Sequence, residues 1–210
     1  MRIGIAFAAL FAVPGCFAGE FELGVAGGGH LLRGATVTAP AGTAKAGFKN
    51  GAAFGAIAGQ RLYKNVTGEV RYTYLQGDLK LSSGGADAAF KGDTHAIHYD
   101  FLIHPYGGEA KVQPFAAAGA GVKVFRGAGQ ETAYQPLSQF AYLTKTTEWK
   151  PLISVGGGIR AKLAPKVSLR VDFRDYITPF PKNVIAPGRA AGIKGWLHDF
   201  VPMVGISFLL

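Results

Sequence analysis

The stretch Val167-Ser-Leu-Arg-Val-Asp-Phe-Arg174 alternates strictly between apolar and polar side chains. Its odd-numbered positions are all apolar, and its even-numbered positions hold one serine, two arginines and one aspartate. A period of two is that of a β-strand whose two faces meet different surroundings. An α-helix, with its period of about 3.6 residues, would scatter the same charges around its circumference. The stretch therefore predicts a strand with one apolar and one charged face.

The same alternation recurs along the rest of the chain. In 94–104, for example, Ile97 and Phe101 share one face while His98 and Asp100 share the other. Eight strands are predicted, at about 20–32, 51–61, 66–76, 93–104, 112–126, 150–163, 166–176 and 199–209. Each is near the length of ~9–11 residues with which a tilted strand crosses a bilayer.

The links between these strands alternate between short and long. Short links follow the second, fourth and sixth strands, whereas the other four, at about 33–50, 77–92, 127–149 and 177–198, are long. Outer-membrane barrels show this asymmetry, with tight periplasmic turns and longer outer loops. The pattern predicts an all-β fold, an eight-stranded antiparallel up-and-down transmembrane barrel with four long extracellular loops.

Composition excludes several other classes of protein. The chain of 210 residues has 49% hydrophobic and 17% charged residues, 31 glycines and one cysteine. The apolar content excludes intrinsic disorder, the single cysteine excludes a disulfide scaffold, and glycines without a three-residue period exclude collagen. The net charge of +9 could indicate nucleic acid, but export of the chain makes anionic lipopolysaccharide the more natural partner.

The first residues have the order of a secretory signal peptide. Arg2 supplies a positive charge, 3–13 are apolar or small, and small residues near Ala18 offer a cleavage site. The apolar run is shorter than the ~20 residues of a transmembrane helix. We therefore expect a signal peptide at 1–18 and an outer-membrane barrel domain at 19–210. Loss of Arg2 without any acid would lower the net charge from +9 to +8.

Cys16, the one cysteine, has two interpretations. The sequence Val-Pro-Gly-Cys at 13–16 resembles a bacterial lipobox, which would make Cys16 the acylated first residue. Alternatively Cys16 lies in the cleavage region and is discarded, which leaves the mature chain without cysteine.

The polar strand faces would line the lumen of the barrel, which with eight strands is just wide enough for side chains to fill. Because an unpaired buried charge costs several kcal/mol, opposite charges there are expected to pair. We predict an ion-pair network in place of an open pore. Its members are Glu22, Glu69, Arg71, Asp100, Lys123, Arg160, Arg170, Asp172 and Arg174.

The segments 169–176 (Leu-Arg-Val-Asp-Phe-Arg-Asp-Tyr) and 198–208 (His-Asp-Phe-Val-Pro-Met-Val-Gly-Ile-Ser-Phe) resemble the small bacterial outer-membrane β-barrel family related to the outer membrane protein A and X barrels. The segments 68–74 and 112–121 fit that family's third and fifth strands. The resemblance implies location in the outer membrane of a Gram-negative bacterium and insertion by the barrel assembly machinery, guided by an aromatic-rich last strand. This chain departs from the pattern by ending Phe208-Leu209-Leu210.

Some barrels of this kind are lipid A-modifying enzymes with a Ser/His/acid set. The best candidates here are His98, Asp100 and Glu69, with Ser154 or Ser168 as nucleophile, but no Gly-x-Ser-x-Gly elbow accompanies them. We expect no catalytic residues, no metal and no cofactor. His95 and His98 lie on opposite faces of one strand, and His104 lies about 20 Å along it from His98.

The sequence thus predicts an integral outer-membrane barrel with a structural or surface-interaction role. Its expected partners are outer-membrane lipids and lipopolysaccharide, with the barrel assembly machinery during insertion, and no nucleic acid; a monomer is expected. The alternative is a narrow porin-like channel or carrier for small solutes, and a third possibility is a lipid A-modifying enzyme.

Overall fold

The computed structural model describes residues 21–106, 110–132 and 134–210. The predicted signal peptide, 1–18, lies outside the described residues. The strands are β1 Phe21–Arg33, β2 Ala35–Ala39, β3 Gly42–Phe48, β4 Gly51–Tyr63, β5 Val66–Gln76, β6 Leu79–Ser83, β7 Ala86–Phe90, β8 Gly92–Ile103, β9 Val112–Gly127, β10 Ala141–Leu143, β11 Thr147–Ala164, β12 Val167–Pro179, β13 Ile185–Pro187, β14 Gly192–Lys194 and β15 Trp196–Leu209.

Eight of these strands close into an antiparallel barrel, in the order β1-β15-β12-β11-β9-β8-β5-β4. The ring closes because β1 pairs on one side with β15 and on the other with β4. The all-β, eight-stranded fold predicted from the sequence is confirmed. Among the described residues, no helix is long and apolar enough to cross a membrane.

The two faces of β12 separate as its alternation predicts. Val171 and Phe173 are 50% and 48% exposed on the outer wall, whereas Arg170 and Arg174 are almost fully buried inside. The other barrel strands repeat the apolar outer wall, and their inner faces carry polar, charged and small side chains together with buried apolar ones such as Leu75, Leu152 and Val201. A soluble β-protein would have the reverse, so the apolar wall is the surface that a transmembrane barrel presents to lipid.

The barrel has a loop end, where the four long links emerge, and a turn end, where the short links lie. Observed and predicted strands agree closely at the turn end. At the loop end, β11, β12 and β15 each run three residues further than predicted. Pairing there continues through Thr178 opposite Leu197 and Pro179 opposite Trp196. Backbone pairing extends the strands past the point where the simple alternation of side chains stops.

The long links contain strands that the sequence reading missed. The links at 33–50, 77–92 and 177–198 supply a five-stranded sheet with the order β14-β2-β3-β6-β7, and β10 pairs with β13 in a two-stranded sheet. These strands have three to seven residues. They are too short to cross a bilayer, so they lack the long alternation that marks the barrel strands in the sequence.

The strands of the long links enclose a hydrophobic cluster, here called the loop core. It unites side chains of the links with inward-facing barrel residues at the loop end, such as Phe125 and Leu197. Leu81, Phe125 and Leu197 are fully buried, and the rings of Phe48 and Phe125 lie 5.3 Å apart. The barrel is therefore covered at its loop end by a packed apolar cap.

An inward-facing glycine of β9 allows close approach of its neighbour β8. A Cβ atom on Gly119 would lie 2.0 Å from the carbonyl oxygen of Tyr99 and 2.2 Å from Asp100 Oδ1. The lumen accommodates the large charged side chains beside β9 because this position carries no side chain.

Candidate functional site

Four charged side chains from β5 and β12 meet in the middle of the lumen. Arg71 lies between two carboxylates, with Nη2 2.8 Å from Asp172 Oδ2 and Nε 3.1 Å from Glu69 Oε1. Arg170 joins the same two carboxylates: its Nε lies 2.6 Å from Asp172 Oδ2, and its Nη1 donates to Glu69 Oε2. All four residues are at least 96% buried. Each carboxylate thus bridges two guanidinium groups, and each guanidinium bridges two carboxylates.

Arg174 and Asp100 extend this group toward β8 and β11. Arg174 Nη1 lies 3.3 Å from Asp100 Oδ2 and its Nη2 lies 3.7 Å from Glu69 Oε1, close enough for attraction without hydrogen-bond alignment. The ring of Phe115 lies 4.8 Å from the guanidinium carbon of Arg170 and 5.7 Å from that of Arg174. The six charged residues form what is here called the central cluster: Glu69, Arg71, Asp100, Arg170, Asp172 and Arg174. Three guanidinium groups are balanced by three carboxylates.

A hydrogen-bonded chain continues from the central cluster toward the loop end. His98 Nδ1 lies 2.9 Å from Asp100 Oδ1, and His98 Nε2 lies 3.0 Å from the hydroxyl of Tyr176. That hydroxyl lies 3.0 Å from Thr73 Oγ1. All of these groups are buried, so they help fill the section of lumen between the central cluster and the loop core.

Lys123 lies in the lumen apart from the central cluster. Its Nζ donates to Asp199 Oδ2 at 2.6 Å, and Asp199 Oδ1 lies 2.9 Å from His30 Nδ1. His30 Nε2 lies 3.0 Å from the carbonyl oxygen of Gln76. The sequence reading omitted Asp199 and His30, although Asp199 shares the polar face of β15 with Ser207.

Glu22 and Arg160 form a third group, near the turn end. Arg160 Nη1 lies 2.8 Å from Glu22 Oε2, and both residues are more than 90% buried. Of the nine residues predicted for the lumen, the structure places six in the central cluster, two in this separate pair and Lys123 beside Asp199.

The candidate serine, histidine and acid side chains, for which no catalytic role was expected, do not form a Ser-His-acid arrangement in the described lumen. Ser154 Oγ lies 3.4 Å from Asp100 Oδ2, so the serine contacts the acid, while His98 contacts Asp100 and Tyr176. Ser168 lies elsewhere, beside a pocket at the turn end. Within the described part of the chain, no group of three or more histidine, cysteine or acidic residues is arranged to hold a metal.

Polar side chains also lie on the outer wall near the loop end. Arg126 forms a two-point ion pair with Asp93, at 3.0 and 2.7 Å. Asp93 Oδ1 lies 3.2 Å from His95 Nε2, and His95 Nδ1 lies 2.8 Å from the hydroxyl of Tyr72. These four residues are here called the wall cluster, and the contacts that join them were not predicted. The sequence does mark Asp93, His95 and Arg126, because each is a charged or polar residue on a strand face that is otherwise apolar.

Comparison with known proteins supports the same fold. No protein-family model and no curated protein matches the chain, whereas solved structures do. Neisserial surface protein A superposes with a TM-score of 0.57 at 12% identity, over 90% of this chain and 97% of that one.

Two further bacterial outer-membrane proteins are similar. OprG from Pseudomonas aeruginosa has a TM-score of 0.55 at 12% identity, over 92% of this chain and 96% of that one. A major outer membrane protein from Thermus thermophilus has a TM-score of 0.53 at 12% identity, over 92% of this chain and 100% of that one. With its closed eight-stranded ring, its apolar wall and its charged interior, the chain has the fold of the small bacterial outer-membrane β-barrels.

Proposed function

We propose that this protein is a closed outer-membrane barrel that acts at the cell surface through its structured long links, and that it neither conducts solutes nor catalyses a reaction. The observation that carries the proposal is the filled lumen. The central cluster occupies the middle of the barrel with side chains from β5, β8 and β12. The loop core covers the loop end. A solute would have to displace both layers, and parting the buried ion pairs costs several kcal/mol for each unpaired charge.

Conductance tests the closed lumen directly. The purified barrel, shown to be folded by heat-modifiable gel migration, is reconstituted into a planar bilayer in 1 M KCl, roughly the ionic strength that screens surface charge within ~3 Å. We expect no channel events. Reproducible openings from folded protein, absent from a heat-denatured sample, would support the narrow channel instead.

Lipid analysis tests the absence of catalysis. Wild-type protein and the His98→Ala and Asp100→Ala variants are expressed at equal level in a Gram-negative host lacking the gene. We expect lipid A with the same mass spectrum in all three strains and in the empty strain. A new lipid A species that depends on His98 would contradict the proposal and support a lipid-modifying enzyme.

We propose lipopolysaccharide as the partner of the loop end. Support comes from exposed cations there, which include Lys45, Lys49, Lys91, Lys145, Lys182 and Arg189. Lys49 pairs with Asp78 at 3.5 Å, whereas the ammonium groups of Lys91, Lys145 and Lys182 form no salt bridge among the described residues. On the outer wall, Arg126 is half exposed beside Asp93. Phosphate groups of the outer leaflet would meet these cations at the height where the long links leave the barrel.

A matched pair of triple variants tests this partner. The barrel in phosphatidylcholine nanodiscs is titrated with lipopolysaccharide. The variant K91Q/K145Q/K182Q should bind about ten-fold more weakly, since each exposed charge contributes up to ~1 kcal/mol. The control K64Q/K111Q/K166Q removes three exposed lysines from the turn end and should bind as wild type does. Equal losses in the two variants would show a general charge effect and refute a loop-end site.

A further inference from the structure

The wall cluster places an arginine at the loop-end edge of the apolar wall. Arg126 is the penultimate residue of β9, two positions beyond Val124 and four beyond Val122 on the same outward face. A cation that faces lipid is costly at the middle of a bilayer and costs little near its surface. Arg126 therefore lies at the level of the lipid headgroups.

A chain of contacts fixes the direction of the Arg126 guanidinium. Its Nε and Nη2 both contact the carboxylate of Asp93, at 3.0 and 2.7 Å. His95 Nε2 lies 3.2 Å from the same carboxylate, and the hydroxyl of Tyr72 lies 2.8 Å from His95 Nδ1. The His95 ring also packs against the rings of Tyr72 and Tyr74. The arginine is thus held in one orientation by buried and half-buried groups.

The other edge of the guanidinium is available to a ligand. Within the described part of the chain, Nη1 has no hydrogen-bond or ion-pair partner, and the Arg126 side chain is 51% exposed. The outer N–H groups of Nη1 and Nη2 form a fork that can donate to two oxygens of one phosphate. Because the Asp93 side chain is only 11% exposed, an approaching ligand meets the donors and not the acid.

Two lysines add positive charge on either side of Arg126. Lys91 immediately precedes β8, and Lys145 lies in the link that leads into β11; these are the two strands that pair with β9. Both lysines are exposed, and neither ammonium group forms a salt bridge in the described segments. Glu131 accepts from the backbone N–H of Lys145 at 2.6 Å, so three cations stand against two carboxylates, Asp93 and Glu131. The charge around the site favours an anion.

We propose that the wall cluster binds a phosphate group of lipid A, the acylated glycolipid of the outer leaflet, through Nη1 and Nη2 of Arg126. The place of the arginine selects an amphiphile, because a ligand that meets it on the wall lies with its apolar part along Val122 and Val124. The other members of the wall cluster are positioning residues. The site rests on the lipopolysaccharide contact proposed above, and it specifies the lipid group and the side of the barrel, that of β8, β9 and β11.

A tryptophan beside the site reports on the lipid that occupies it. Trp149 is 64% exposed on the outer wall, two residues after Thr147, the β11 partner of Arg126. The W196F variant leaves Trp149 as the one tryptophan of the chain. This variant in phosphatidylcholine nanodiscs is titrated with lipid A that carries brominated acyl chains, which quench tryptophan fluorescence on contact.

The reference lipid is brominated phosphatidylcholine, which measures random contact with the wall. We expect lipid A to reach half-maximal quenching of Trp149 at a mole fraction about five-fold lower, since an exposed charge contact contributes up to roughly this factor. The ratio of the two mole fractions is the preference for lipid A. Equal quenching by the two lipids would overturn the proposal.

A charge-neutral variant assigns the preference to Arg126. In the W196F background, D93N/R126Q removes the ion pair as a unit, leaves the net charge unchanged and should abolish the preference for lipid A. The control R33Q removes an exposed cation at the end of β1, which lies four strands from β9 in either direction round the ring. R33Q lowers the net charge by one and should keep the full preference. The reverse result would show a general charge effect and refute the site.

Tyr72→Phe tests the positioning chain. It removes the hydroxyl that contacts His95 and changes no charge. We expect the preference for lipid A to fall about two-fold, with quenching by brominated phosphatidylcholine unchanged. Heat-modifiable migration shows whether each variant folds. An undiminished preference in Tyr72→Phe would refute the positioning role, and with it the site if D93N/R126Q does not fold.

Two comparisons separate this site from other lipid contacts. A phosphate monoester carries about 1.5–2 negative charges and three acceptor oxygens, more than the phosphodiester of phosphatidylglycerol. Brominated phosphatidylglycerol should therefore quench Trp149 less strongly than lipid A, and equal quenching would overturn the assignment to lipid A. If K91Q/K145Q/K182Q binds lipopolysaccharide as wild type does while D93N/R126Q loses its preference, the lysine contact is refuted and the wall site stands. The converse refutes the wall site alone.

Discussion

Glu69 holds two guanidinium groups in the middle of the lumen. It accepts from Arg71 and from Arg170 and is 99% buried. Glu69→Ala leaves both arginines short of a partner inside the barrel. We expect the free energy of unfolding to fall by about 3–5 kcal/mol, the usual cost of removing one partner from a buried ion pair. Urea unfolding in lipid vesicles, followed by tryptophan fluorescence, measures this loss.

Asp78→Ala is the matched control for Glu69→Ala. Asp78 also pairs with a cation, Lys49, but at 3.5 Å and with both side chains more than 40% exposed. Its loss should cost less than about 1 kcal/mol, as for other exposed ion pairs. If the two alanine variants were equally stable, the central cluster would contribute little to holding the barrel closed.

Gly119 gives a second prediction for a single residue. An alanine there would force its Cβ into the Tyr99 carbonyl and the Asp100 carboxylate, with nothing flexible nearby to yield on the backbone side. We expect Gly119→Ala to destabilise the barrel by about 1–3 kcal/mol through overpacking. Gly27, whose added Cβ would meet nothing within 4 Å, is the control, and Gly27→Ala should be neutral or slightly stabilising. The same unfolding measurement compares them, and equal effects would argue against crowding at Gly119.

For the interior of the barrel, the sequence could predict which face a residue lies on but not which residue it pairs with. Alternation was enough to put Arg170 and Asp172 on the inner face, because the side-chain period of a strand is two. It could not pair Glu69 with Arg170, which lie 101 positions apart, since that contact depends on the curvature and stagger of the closed ring. Asp93 and His95 were not predicted for another reason: they lie on a strand face that is otherwise apolar and that was predicted to meet lipid.

Strands were predictable where one face meets lipid, and much less so where it does not. The barrel strands have long stretches of alternation. The link strands are short, and their apolar residues, such as Val37 and Leu81, face a small local core. A segment of five residues repeats the alternation of apolar and polar side chains too few times to distinguish a strand from a loop. The cap over the barrel therefore became apparent only in the folded structure.

Because the loop core and the barrel are built from different sets of strand pairs, we expect Leu81→Asp to disrupt the loop core and to leave the barrel closed. The substitution buries a carboxylate in the loop core, where Leu81 is fully buried. The ring of barrel strands makes its own hydrogen bonds and should remain closed. We expect trypsin to cut the folded variant after Lys45 and Lys80, which lie in paired strands of the wild type. Gel migration without heating should still be that of a folded barrel.

Thr43→Asp is the control for that variant. It adds the same charge to the same sheet at an exposed position of β3. It should be as resistant to trypsin as the wild type. Loss of heat-modifiable migration in Leu81→Asp would mean that the cap and the barrel fold as one unit, contrary to the prediction.

Across the whole molecule, the sorting of long and short links determines its orientation in the membrane. All four long links emerge at one end and all three short links at the other, so the loop end should face the cell exterior. The pairing order of the ring follows from the sequence because each barrel strand lies beside the next barrel strand along the chain. The predicted direction of insertion, in contrast, rests on the lengths of the links alone. It can be tested without disturbing the fold.

Single cysteines report this orientation, because the described part of the chain contains none of its own. Lys145→Cys places a thiol on an exposed link at the loop end, and Lys166→Cys places one on an exposed turn between β11 and β12. Intact Gram-negative cells that express each variant are treated with a membrane-impermeant maleimide. The Lys145→Cys variant should be labelled fully, and the Lys166→Cys variant only after the outer membrane is permeabilised. The unsubstituted chain measures any labelling of Cys16. Labelling of Lys166→Cys in intact cells, with Lys145→Cys protected, would require the opposite orientation and would place the turn end, not the loop end, at the cell surface.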